Sequence, residues 1–179
     1  KFRISVVCVG NIYIGGTGKT PTSIYIPKEL TELGKKPAIL RKYYKDHRDE
    51  HNLIREKFNN LILNKNRLAG IKEAVKMNFD TVILDDGFQD YQIKTNLNIL
   101  CFNQNQLIGN GLVLPAGPLR EKLNSLKDAD VILINGKRNI DFEKKILKIN
   151  NNLEIFYSSY KPINIDQFKE QKLFVIAGI

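Results

Sequence analysis

Six consecutive residues, Gly15-Gly16-Thr17-Gly18-Lys19-Thr20, leave this chain little choice of architecture. They follow an apolar run, Ile4-Ser5-Val6-Val7-Cys8-Val9, and precede a helix-like stretch that opens at Pro21. A strand, a glycine-rich turn and a helix start, in that order, form a cradle. Backbone N–H groups and the positive end of the helix dipole converge there on an anion. Lysine and threonine at the helix start add what a plain turn does not need. Lys19 would bridge the β- and γ-phosphates of a nucleotide such as ATP, and the Thr20 hydroxyl would ligate Mg²⁺. One departure is plain: the full Gly-x-x-x-x-Gly-Lys-Thr pattern needs glycine at position 13, and this chain has Tyr13.

Strands and helices alternate around that loop. The pattern predicts strands over 4–9, 37–41, 61–63, 79–84, 97–102, 131–134, 153–160 and 173–177. Helices are expected over 21–33, 49–58, 67–78, 119–128 and 141–149. Pro27 should kink or loosen the first of these, and Gly34 ends it. Residues 109–118 read as a Gly/Pro-rich loop. Apolar strands alternating with helices imply an α/β fold of the P-loop NTPase-like kind: a mostly parallel sheet with helices on both faces, three layers in all. Ligands of such sheets lie beyond the carboxyl ends of the strands.

A second element falls at that same edge. Val82-Ile83-Leu84-Asp85-Asp86 is an apolar strand ending in two carboxylates, 65 positions after Thr20. A nucleotide site needs a carboxylate there to hold Mg²⁺ directly or through water. Gln89 follows; it either orients a water or hydroxyl or serves as a satisfied turn amide.

Composition narrows the classes further. The net charge is +9, which raises nucleic acid or an anionic membrane as partners. Lysines outnumber arginines 21 to 7, asparagine and isoleucine are also abundant, and no basic block is interleaved with aromatics, so nucleic acid is disfavoured. No apolar run reaches the roughly 18 residues of a membrane span. Cys8 and Cys101 lie inside strand-like runs and read as buried free thiols. Tyr13, Ile14, Tyr25 and Ile26 are read as core in preference to lipid-facing.

Three blocks now converge: Val9-Gly10-Asn11-Ile12 leading into the glycine-rich loop and Pro21; Asp85-Asp86-Gly87-Phe88-Gln89; and Gly109-Asn110-Gly111-Leu112-Val113-Leu114-Pro115-Ala116-Gly117-Pro118-Leu119-Arg120-Glu121. In this order they resemble the tetraacyldisaccharide 4'-kinase (lipid A 4'-kinase) family. The resemblance implies transfer of the ATP γ-phosphate to the 4'-hydroxyl of a tetraacyldisaccharide 1-phosphate, with ATP and Mg²⁺ as cofactors. It implies an amphiphilic acylated disaccharide phosphate as substrate. It further implies a monomer in peripheral contact with an anionic leaflet, at the cytoplasmic face of the bacterial inner membrane.

Carried over by position, Gly15, Gly16, Thr17, Gly18, Lys19, Thr20 and Pro21 hold the nucleotide, while Thr20, Asp85 and Asp86 hold the metal. Arg120 faces phosphate, or else pairs with a neighbouring carboxylate. Leu40-Arg41-Lys42-Tyr43 stands where the family has Ser-Arg-Gly-Tyr, keeping only Arg41 and Tyr43. Asp49, in Arg48-Asp49-Glu50, aligns with the family's catalytic aspartate, and Asp46 is the alternative. Asp49, Lys19, Arg120 and Gln89 thus form the catalytic set. Two departures matter: Asp90 replaces the usual histidine after Gly-Phe-Gln, and the family's supporting histidine lies beyond Ile179. His47 and His51 flank Asp49. Ala177-Gly178-Ile179 resembles the opening of the family's second half. The expected division is therefore a P-loop kinase domain over 1–152, then over 153–179 a connecting β segment and the first strand of a truncated second α/β domain.

Two other readings remain. A membrane-associated partitioning-type switch ATPase carries a similar loop, but with a second lysine just before the first glycine, where this chain has Ile14. A nucleotide-binding module without catalysis has no evident use for the elaborate 109–121 segment.

Overall fold

The computed structural model describes residues 3–161 together with Lys172 and Phe174. Seven apolar segments, most of them rich in Val, Ile and Leu, become strands: β1 (Ser5–Gly10), β2 (Pro37–Lys42), β3 (Leu61–Asn64), β4 (Thr81–Asp85), β5 (Leu97–Asn103), β6 (Val131–Asn135) and β7 (Glu154–Ser158). They form one sheet in the order β3-β2-β4-β1-β5-β6-β7, with every neighbouring pair parallel. Four helices connect them: α1 (Lys19–Glu32), α2 (Arg48–Lys57), α3 (Arg67–Lys76) and α4 (Ile140–Leu147).

Alternation along the strands decides which helix covers which face. Val6, Leu40, Val82 and Leu84 turn to one side, where Ile71 and Ala74 of α3 cover them. Farther across that side, Cys8, Leu100, Phe102, Ile132 and Ile134 meet Phe142 and Ile146 of α4. Val9, Ile83 and Cys101 turn the other way, onto Ile26 and Leu30 of α1. Ile39 joins them there, against Ile24 of α1 and Ile54 of α2. The result is the expected three-layer α/β arrangement. Cys8 and Cys101 are free and fully buried, and burial pushes their thiols up to about 12 and about 11.

Several local expectations change. The helix predicted over 119–128 shrinks to a 3-10 turn at Leu123–Asp128. Leu119 instead forms an antiparallel bridge with Tyr13, and this pairing removes 119–122 from any helix. As expected, α1 runs past Pro27, to Glu32, with Pro27 buried inside it; the Thr31 hydroxyl donates to the Pro27 carbonyl at 2.8 Å. The strand expected over 153–160 forms as Glu154–Ser158, at the edge of the same sheet. The strand expected over 173–177 lies outside the described residues apart from Phe174. Tyr13 and Ile26 do pack against the core, whereas Ile14 and Tyr25 are 48% and 61% exposed.

Phe102 is fully buried and meets Phe142 edge-on, with ring centroids 5.2 Å apart. Phe102→Ala should lower stability by about 3–5 kcal/mol, read as a reduced urea midpoint with unchanged slope.

Candidate active site

Because all seven strands run the same way, the carboxyl ends of β1, β2, β4, β5 and β6 share one edge of the sheet. The glycine-rich loop is built across it. Gly15, Gly16 and Gly18 adopt φ of +68°, +56° and +87°, values that L side chains rarely accept. Gly18 caps α1 and offers no side chain to the first-turn amides, so those donors and the helix dipole stay available to an anion.

Three asparagines fasten the loop to the sheet. Asn11, just past β1, donates to the Thr17 hydroxyl at 2.9 Å. Asn135, ending β6, donates to the Thr17 carbonyl at 2.6 Å, and Asn103, ending β5, to the Gly16 carbonyl at 3.2 Å. A Cβ at Gly18 would collide with the Asn135 amide and crowd the Tyr160 hydroxyl.

Position 13 carries tyrosine because the backbone there is paired, not turned. Ile14 N–H donates to the Pro118 carbonyl at 3.0 Å and Arg120 N–H to the Ile12 carbonyl at 2.7 Å, on either side of the Tyr13–Leu119 bridge. This zipper delivers the Arg120 guanidinium to the mouth of the loop. Arg120 Nη1 lies 2.7 Å from Asp86 Oδ1, and Lys19 Nζ lies 3.0 Å from the same oxygen. Burial works against the charge on Asp86, but Arg120 and Lys19 outweigh it and hold the carboxyl below its ordinary value. The glycine-rich loop and one strand-end carboxylate, that of Asp86, are therefore in direct contact through Lys19. Arg120 pairs with a neighbouring carboxylate, and it also lines the cleft.

The two adjacent aspartates divide the work. Asp85 is 1% exposed, and its oxygens accept from Ser23 at 2.8 Å and from Arg41 Nη1 at 2.5 Å. Arg41 in turn pairs with Glu50 of α2. Asp85 thus braces α1 against β2, and Asp86 is the carboxylate that faces the loop. Arg67, at the start of α3, donates to the Asp86 carbonyl at 2.6 Å and reaches Asp90 at 3.3 Å.

Beside this cluster opens a cleft of about 620 Å³ lined by Arg41, Tyr44, His47, Arg67, Asp86, Gln89 and Arg120, among others. Gln89 donates to the Asn11 carbonyl at 2.9 Å, while its Oε1 is buried and has no partner among the described residues. Asp49 stands on the exposed first turn of α2 and is not among the lining residues; neither is Asp46. His51 is buried and stacks on Tyr43 with ring centroids 5.7 Å apart; burial, then Arg41, hold its pKa down. Among the described residues no group of three or more His, Cys, Asp or Glu side chains is placed to hold a metal. The donors that do fit a hard cation are oxygens: Asp86, Thr20 in the first turn of α1, and the orphaned Gln89 Oε1.

A sequence profile of the family described as Tetraacyldisaccharide-1-P 4'-kinase matches residues 1–179. The chain belongs to this family. Among curated relatives, the Tetraacyldisaccharide 4'-kinase of Pelagibacter ubique is 42% identical over 180 residues, covering 99% of this chain and 57% of its own length. The namesake from Shewanella sediminis is 32% identical, covering 100% of this chain and 58% of its own. The chain thus spans less than two thirds of these relatives. Among solved structures, LpxK from Aquifex aeolicus in complex with ATP superposes with a TM-score of 0.65 at 21% identity, over 97% of this chain and 75% of that one. The family's fold is therefore shared over nearly all of the chain. Among the described residues no helix is long and apolar enough to cross a membrane.

Within this member of the family, Asn11, Ser23, Arg41, Arg67, Asn103 and Asn135 serve the site without having been assigned a role from sequence. Asn11 and Arg41 sit in the family-like segments; the others carry no local signal.

Gly18→Ala should abolish nucleotide binding and lower the melting temperature, because positive φ and collision with Asn135 act together. Gly15→Ala, with nothing within 4 Å of the added Cβ, should cost only about 1–2 kcal/mol of backbone strain. Isothermal titration and thermal melts on both variants check this contrast. Asp86 should also shape acid stability. With its folded-state value depressed, its contribution is present above the ordinary carboxylate pKa of about 4 and disappears as pH falls through the lower folded value. Asp86→Asn should remove that part of the acid limb in a pH series of denaturant melts.

Proposed function

We propose that this chain carries the nucleotide-binding face of an ATP-dependent kinase. The enzyme transfers the γ-phosphate of ATP to the 4'-hydroxyl of a tetraacyldisaccharide 1-phosphate, a lipid A precursor. One observation carries the reading: in a chain of this family, Lys19 and Arg120 converge on Asp86 beside a helix start whose Gly18 cap supplies no side-chain acceptor.

Phosphoryl transfer asks for positioning and charge neutralisation more than covalent help. The amides between Gly15 and Thr20 hold the β- and γ-phosphates, and Lys19 spans them. Thr20 and Asp86 would hold magnesium, which when bound neutralises the β- and γ-oxygens; Asp85 keeps the supporting frame. Arg120 meets the charge on the transferred group. Asp49 takes the proton of the 4'-hydroxyl as its oxygen bonds to the γ-phosphorus, and the bond to the β–γ bridging oxygen breaks to release ADP. The neighbouring Glu50, paired with Arg41, ties the first turn of α2 to the site's edge.

The acceptor is an amphiphile, and the net charge of +9 supports peripheral contact with an anionic leaflet, at about 1 kcal/mol per well-placed Lys or Arg. We place the protein at the cytoplasmic face of the bacterial inner membrane, as a monomer that does not bind nucleic acid. A partitioning-type switch ATPase is disfavoured by Ile14, which stands where such proteins carry their second lysine.

The test is transfer from labelled ATP to an acylated disaccharide 1-phosphate by the full-length protein. Lys19→Ala should abolish it. Asp49→Ala should lower kcat by about 10²–10⁴-fold with the KM for ATP little changed. ATP hydrolysis without any labelled lipid would refute the kinase reading, and an unaltered kcat in Asp49→Ala would remove Asp49 as the base.

A further inference from the structure

A single buried carboxamide joins the parts of the site that must act together. Asn11 is fully buried, and each of its side-chain polar atoms is engaged. Nδ2 donates to the Thr17 hydroxyl at 2.9 Å, and Oδ1 accepts from Arg120 Nη1 at 3.0 Å and from Lys19 Nζ at 3.4 Å. Its main-chain carbonyl accepts from Gln89 at 2.9 Å. Four segments thus meet at one residue: the phosphate loop, the start of α1, the turn after β4 and the 109–121 loop. The donor to Thr17 and the two cations at Oδ1 leave only one orientation of the amide compatible with all three contacts.

We propose that Asn11 is a positioning residue that sets the spacing of Lys19 and Arg120, so that both cations meet the same phosphoryl group. The proposal rests on the kinase reading above. The physical case is the choice of a neutral acceptor. Two like charges sharing a small site repel, and each needs a partner when partly desolvated. Asp86 already gives both cations one anionic partner, at 3.0 Å from Lys19 and 2.7 Å from Arg120. An aspartate at position 11 would add a second negative charge beside it and cancel the field the cations offer to phosphate. An alanine would leave the buried Thr17 hydroxyl without its donor and the two cations with Asp86 as their shared partner but no second acceptor to fix their spacing. A carboxamide supplies that second acceptor without adding charge.

The experiment is a double-mutant cycle in the full-length protein, using Asn11→Ala, Arg120→Ala and the double variant, with kcat and KM measured separately. Asn11→Ala alone should lower kcat by about 10²-fold, the scale of a small misplacement of catalytic groups. In the Arg120→Ala background the further loss should shrink to a few-fold, because the group that Asn11 positions is already gone. Losses that multiply in full would overturn the proposal, since a general structural defect ignores whether Arg120 is present. Should Asn11→Ala fail to fold, the near-isosteric Asn11→Asp carries the same cycle, with lowered kcat and weakened nucleotide affinity expected; wild-type kcat in that variant would equally overturn it. If the unmodified protein transfers no phosphate to the lipid, the kinase reading fails instead. The cycle is then read from the affinity for a fluorescent ATP analogue, where coupling between Asn11 and Arg120 supports the positioning role and independence refutes it.

Discussion

A carboxylate almost out of contact with water, that of Asp85, organises the functional edge of this protein. It receives Ser23 from α1 and Arg41 from β2, and Arg41 continues to Glu50 of α2. Burying an ion pair is costly, and such a pair is not in itself a source of stability. Its effect is geometric: a strand end, the phosphate-loop helix and the helix bearing Asp49 are held by bonds that tolerate little displacement. Breaking it would strand a buried guanidinium or a buried carboxylate, at a cost of about 3–5 kcal/mol. The next residue is freed by this arrangement. Because Asp85 supplies the bracing, Asp86 can turn toward Lys19 and Arg120 and serve ligand chemistry.

The sheet was readable from sequence because its signals are local. Apolar runs such as Val82-Ile83-Leu84 and the helix repeats between them require only short windows, and the Gly-Gly-x-Gly-Lys-Thr core names its own geometry. Where the reading failed, a long-range contact had overridden a local tendency. Leu119 and Arg120 do not begin a helix, because Arg120 N–H goes to the Ile12 carbonyl about a hundred positions earlier and Leu119 is bridged to Tyr13 and bonded to Leu112 and Leu114. The strand expected over 153–160 does form, as Glu154–Ser158, in parallel register on the edge of β6.

Within the site, the charged groups at the mouth of the loop were more legible than those that hold the loop in place. Lys19, Asp86 and Arg120 belong to runs whose spacing carries chemistry. Asn103 and Asn135 are single amides at strand ends, in a chain rich in asparagine, and nothing around them distinguishes a fastener from a turn residue. Arg41 was visible only as a matched letter, since its partner Asp85 is 44 positions away. Asp49 shows the converse: only the family resemblance suggests a role for it, and the fold puts it on an exposed turn outside the cleft lining, one residue from the anchored Glu50.

The three asparagines that clasp the loop have one more implication. They are uncharged, so added electrolyte screens nothing in their hold on Thr17 and Gly16. The cradle's contacts through Asn103 and Asn135 therefore keep their form over a range of ionic strength that screens the pairs of Lys19 and Arg120 with Asp86. Asn11 alone joins the two systems, because its carboxamide holds Thr17 on one side and both cations on the other.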